Sequence, residues 1–99
     1  MELTDTAVLV LSSLADGSKH GYALARDIEQ FAGVRLGPGS LYGALSRLED
    51  RGLIEALPAS DRRRPYQLTS SGATTLQTHL TANRDIARIG LRRLAGGHA

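Results

Sequence analysis

Apolar side chains recur along most of this chain at helical spacing, and the breaks in that pattern mark out the elements. Leu3 to Leu14 is an almost continuous apolar run, with Thr4 or Asp5 placed to cap it and Asp16-Gly17 to stop it. Its β-branched residues would suit a strand, but its length and flanks predict a buried first helix. Lys19-His20-Gly21 reads as a turn. Tyr22, Leu24, Ala25, Ile28 and Phe31 then follow at three-to-four spacing, an amphipathic second helix that ends at Gly33, with Arg26, Asp27, Glu29 and Gln30 towards water.

Residues 33–38 form the next turn, and Pro38 suits the first turn of a third helix, where its missing N–H costs little. That helix has two differently used faces. Leu41, Leu45 and Leu48 form a stripe fit for a core, while Ser40, Gly43, Arg47 and Arg51 recur on another side. At ~100° per residue the two stripes are centred roughly 120° apart, so one can anchor the helix while the other enters a DNA groove. Gly52 stops the helix. Leu53, Ile54 and Leu57 read as a short strand and Tyr66, Gln67 and Leu68 as its return. The order is three helices and a β-hairpin, a winged helix-turn-helix over residues 1–69.

A fourth helix is predicted from Ser70 to about Ala95, capped by Ser70 or Ser71 and terminated by Gly96-Gly97. Its apolar stripe, Ala73, Leu76, Leu80, Ala87, Leu91 and Leu94, is widened by Ile86 and Ile89. So small a domain leaves little to cover it, which points to a second copy of the chain; folding back onto the first helix is the alternative. Residues 70–99 are therefore expected to be a dimerisation helix and tail, with Leu76, Leu80, Asn83, Ala87, Leu91 and Leu94 at the interface. Asn83, inside the stripe, would fix helix register there. The fold class expected is mainly α with a small β-hairpin.

Charge sharpens this outline. The net charge of +2 is too small to argue for nucleic acid, but its distribution is uneven. Residues 1–34 carry two bases against five acids, residues 35–66 six against four, and residues 67–99 four against one. Such polarity can present a basic surface to phosphate. At the hairpin tip, Arg62, Arg63 and Arg64 outnumber Asp61, and guanidinium groups pair well with phosphate oxygens. A solvated charge run is the bland alternative, and phosphate contact becomes the better reading beside a helix with its own arginines.

Other classes find little support. With 99 residues there is room for one domain and a modest core, no apolar run is long enough to span a membrane, no basic start is followed by an apolar stretch with a cleavage site, and zero cysteines exclude a disulfide framework and thiolate zinc ligation. A cytoplasmic location is expected. His20, His79 and His98 are scattered, and no Gly-rich phosphate loop or nucleophile elbow occurs. Neither catalysis nor a metal or cofactor is expected.

The strings HGYALARDIE, GSLYGALSRLEDRGLIE and RRPYQLTSSG, within residues 3–76, resemble the PadR family of bacterial transcriptional regulators. The resemblance rests on Gly21-Tyr22, Ser40-Leu41-Tyr42, Leu45, Leu48-Glu49, Gly52-Leu53-Ile54, Tyr66, Leu68-Thr69 and Gly72. It implies a homodimer whose C-terminal helices pack on the partner's N-terminal helix, binding a palindromic operator in double-stranded DNA and repressing nearby genes. The single C-terminal helix matches the family's shorter branch.

Carried over position by position, Ser40 would hold a phosphate or cap the helix, and Tyr42 would reach DNA or pack against the wing. Gly43 would permit close approach, and Arg47 is the leading candidate for a base or phosphate contact. Arg51, Tyr66 and Lys19 complete the expected DNA-binding set with the three wing arginines, while His20, beside Lys19 at the start of the second helix, would add a backbone contact or, as the better reading, be a satisfied surface residue. The resemblance further implies a small-molecule effector in some members; without tryptophan a pocket here would be aliphatic, and the absence of any effector stays an open alternative. So does a winged helix that binds protein instead of DNA.

Overall fold

Thr4 opens the first element. In the computed structural model, which describes residues 3–96, its hydroxyl accepts from the Ala7 amide at 3.1 Å and starts α1, Asp5–Leu14. Chain order continues with β1 (Lys19–His20), α2 (Gly21–Ala32), α3 (Pro38–Asp50), β2 (Ile54–Ala56), β3 (Pro65–Leu68) and α4 (Ser70–Gly96). Gly33, in the left-handed region at φ 69°, ends α2 as its spacing predicts, and Pro38 occupies the first turn of α3.

Three helices close around one core. Leu11, Leu24, Ile28, Leu45, Leu48 and Ile54 are fully buried, each such side chain stabilising the fold by about 1.5–3 kcal/mol. The predicted stripe of α3 lies in that core with Ala44 added. Ser13, the one buried polar residue described, donates its hydroxyl to Asp27 Oδ2 at 2.6 Å and so ties α1 to α2 without an unsatisfied group.

Four details differ from the sequence reading. Lys19-His20 is not a simple turn: it pairs antiparallel with β3, Lys19 opposite Tyr66 and His20 opposite Pro65, so the hairpin becomes a three-stranded sheet of order β1-β3-β2. Two residues are too few to leave a period in the sequence. Tyr22 and Phe31, assigned to the apolar side of α2, are 65% and 50% exposed, because only Leu24 and Ile28 point squarely into the core.

The cap of α4 is Thr69 instead of Ser70 or Ser71. Its hydroxyl accepts from the Gly72 amide at 3.0 Å and donates to the Gly52 carbonyl at 2.7 Å, so one side chain joins the end of α3 to the start of α4. Finally, Leu76 is buried in the domain's own core, which removes it from the expected interface between copies. The start of α4 rests on α1 and β3. Beyond it, Leu80, Ile86, Ile89, Leu91 and Leu94 are exposed. A helix of 27 residues spans about 40 Å and accounts for much of the molecule's 59 Å long axis. Gly97, expected in the helix stop, and His98 lie outside the described residues.

Candidate nucleic-acid interface

The wing is built from its backbone outward. Leu57 N donates to Pro65 O at 2.8 Å, and Ser60 and Arg63 exchange amide-to-carbonyl bonds at 2.8 and 2.9 Å. Between them Asp61 and Arg62 both have positive φ, 51° and 65°. Two consecutive left-handed residues make the tight turn whose twist matches a hairpin. Asp tolerates that region, Arg does so at a cost, and the result thrusts the guanidinium groups of residues 62–64 into solvent.

Those arginines share a cleft of about 500 Å³ with His20, Gly21, Tyr22, Tyr42 and Tyr66. Tyr42 stands on the exposed side of α3, 52% accessible, over Gly21: a methyl at that glycine would lie 2.3 Å from the Tyr42 hydroxyl. The absence of a side chain at Gly21 is thus what lets the tyrosine lean towards the wing. Tyr66 enters from β3, and Tyr22 from α2, where its ring lies under Arg26 at 5.8 Å. Four separate elements of the chain converge on one basic, hydroxyl-rich surface.

Arg47 occupies the other border of α3. Five residues beyond Tyr42, it is turned about 140° around the axis, and lines a groove of about 320 Å³ with Thr4, Ala7, Ala44, Leu48, Asp50 and Arg51. The arc between the two borders carries Gly39, Gly43, Ser46 and Asp50. Gly43 leaves room for Arg47 to fold back, since a methyl there would stand 3.3 Å from Arg47 Nη1. Ser46, central and exposed, was missed by the sequence reading; only its position between Tyr42 and Arg47 singles it out.

Other expected contacts are placed differently. Arg51 is half-buried, with Nε and Nη2 enclosed and unpaired among the described residues, because it follows Arg47 by four residues and so sits about 40° closer to the core stripe. Lys19 is committed elsewhere: its ammonium donates to the Ser13 carbonyl and to Asp16 Oδ1, both at 2.5 Å, and holds the Asp16 carboxyl below its ordinary value through that hydrogen bond and its charge. Lys19 is therefore not a free phosphate ligand. Ser40 is exposed in the first turn of α3 but is not its cap, a position held by Gly37.

His20 is engaged as expected of a surface histidine, by the start of α2 and by the wing. Its Nδ1 accepts from the Ala23 amide at 3.4 Å, and Nε2 lies 3.3 Å from Arg63 Nη1. Along α4, Asn83 meets His79 Nε2 at 2.9 Å within the same helix. No group of three His, Cys, Asp or Glu suited to a metal ion occurs among the described residues. No described helix is long and apolar enough to cross a membrane.

Comparison with known proteins agrees with the fold. A model of the transcriptional regulator PadR-like family fits residues 10–78. Transcriptional regulator Rv3488 of Mycobacterium tuberculosis is 33% identical over 82 residues, 80% of this chain and 76% of that protein. An uncharacterized 37.1 kDa protein in transposon TN4556 of Streptomyces fradiae is 52% identical over 77 residues, 78% of this chain; the match spans only 22% of that protein's length. Among solved structures, a PadR family transcription regulator of Clostridium difficile R20291 superposes with a TM-score of 0.83 at 25% identity, over 92% of this chain and 99% of the other. F93 from STIV, a winged-helix DNA-binding protein, shares the fold at a TM-score of 0.78 and 17% identity, over 87% of this chain and 95% of its own.

Proposed function

The chain belongs to the transcriptional regulator PadR-like family, and from that membership we propose that it binds double-stranded DNA as a homodimer at a palindromic operator and represses the genes beside it. The observation that carries this reading is the convergence of Tyr42 on α3 with Arg62, Arg63 and Arg64 on the wing in one cleft. A duplex presents phosphates on both sides of its major groove. With α3 in that groove, the Gly43 and Ser46 arc faces base edges, Arg47 reaches them or a phosphate from one border, and the wing grips the flanking backbone from the other.

Affinity then comes chiefly from counterions released when guanidinium groups meet phosphate, while preference comes from α3. The dimer of this proposal uses the exposed part of α4, from Leu80 to Leu94, with Asn83 and Ala87 in the same stripe. A twofold axis there sets two α3 helices about 34 Å apart, one turn of DNA. An operator overlapping a promoter is blocked to polymerase, hence repression. The same aliphatic interface is where a small-molecule effector would bind and alter that spacing.

Fluorescence anisotropy on fragments selected from randomised DNA tests the reading. Wild type is expected to bind a palindrome with a steep salt dependence. The Arg62→Ala/Arg63→Ala/Arg64→Ala protein should lose affinity for all sequences and about two to three units of salt slope, and Arg47→Ala should also relax sequence preference. Unchanged affinity in the triple variant, or no DNA binding by wild type, favours instead a wing that docks on protein.

A further inference from the structure

His20 stands between two hydrogen-bond donors that compete for it. On one side the Ala23 amide points at Nδ1 from 3.4 Å and completes the start of α2; on the other Arg63 Nη1 lies 3.3 Å from Nε2. Neither neighbour has a lone pair to return. A neutral imidazole offers one acceptor nitrogen, so it serves the helix or the wing; a protonated imidazole carries hydrogen on both nitrogens and serves neither.

We propose that His20 is a proton-operated latch on the wing, and that DNA binding takes up a proton there. This rests on the DNA-binding reading above. Neutral His20 with its proton on Nδ1 spends its one lone pair on Arg63 Nη1, at the expense of the Ala23 contact, and draws Arg63 back against the body. Protonation releases Arg63 and adds a charge to the surface that meets phosphate.

The groups facing the imidazole set the direction. From the wing, Arg62, Arg63 and Arg64 face the imidazole, with Asp61 as the carboxylate lining the same side. Lys19, its neighbour on β1, is already paired with Asp16, and Tyr22, Tyr42 and Tyr66 bring hydroxyls. Phosphates entering the cleft neutralise the guanidinium groups and turn the local potential negative, so the complex holds the His20 proton more tightly than the free protein does. Binding that favours the protonated state is strongest at low pH and weakens as pH rises through the imidazole range.

The test uses the full-length protein and a labelled duplex carrying the selected site, at constant salt, between about pH 6 and about pH 8. Wild-type Kd is expected to rise about fivefold or more across that range. His20→Gln, which still hydrogen-bonds but takes up no proton, should flatten the dependence, and His79→Gln should leave it as in wild type. A His20→Gln protein with the wild-type pH slope overturns the latch, as does a pH-independent wild type that still binds with a steep salt slope. Failure of wild type to bind DNA at any pH instead removes the regulator reading, and the latch with it.

Discussion

Gly72 is a residue whose whole role lies in what it lacks. A methyl there would sit 2.0 Å from the Leu53 carbonyl oxygen and 2.9 Å from its carbon, both backbone atoms that cannot swing aside. Gly72→Ala should therefore lower stability by about 3 kcal/mol, read from the urea midpoint, whereas Gly39→Ala, with open space around it, should change it little. At Asp16 the effect is electrostatic. Lys19 lowers its pKa in the folded chain, so the pair contributes stability above the ordinary carboxylate value of about 4, and that contribution disappears as pH falls through the lower folded value. Carbon-detected titration of Asp16 should give a midpoint that rises towards the ordinary value in Lys19→Met. The commitment of Lys19 was not legible from sequence, where a lysine at a turn beside a helix start resembles any other exposed cation.

At the scale of elements, the wing is a turn that trades comfort for exposure. Two non-glycine residues in the left-handed region cost about 1–2 kcal/mol each, less for Asp than for Arg. Replacing Asp61-Arg62 with Asn-Gly, the pair such turns prefer, should raise thermal stability while reducing the salt slope of DNA binding by about one unit. Arg62→Ala should lose the same slope without the gain in stability, and calorimetry beside anisotropy separates the two. α1 was legible from the length and flanks of its apolar run, and α2 and α3 from their periodicity, because each buries one side on a shared core. β1 was not: its two residues become a strand only because β3 returns beside them. The same return sets His20 against Arg63.

For the whole molecule, the unresolved demand is the outer part of α4. Ile86, Leu91 and Leu94 are each about two-thirds exposed, and this is the apolar surface that the proposed second copy would cover. Leu91→Glu/Leu94→Glu should shift sedimentation from dimer to monomer and weaken operator binding at least tenfold, since a single head loses half of the symmetric site, while the urea midpoint of the core changes little. Asn83→Leu should keep the dimer but loosen its register, visible as more than one species by native mass measurement. Leu76 belongs to a separate question, because its side chain is already spent on the core of its own subunit.

The amino-acid pattern alone determined the helices, the place of the wing and the basic character of its tip, because helical period, turn residues and adjacent charges are local properties of a chain. Only tertiary structure decided which of those charges are available. Arg51 drifts towards the core as α3 winds, Lys19 is claimed by Asp16, and Tyr22 leaves the core for the cleft over Gly21. Enclosure depends on residues far apart in sequence, so it exists only once β3 has closed the sheet and α4 has crossed α1, while the Lys19–Asp16 pair depends on how the backbone turns between two near neighbours.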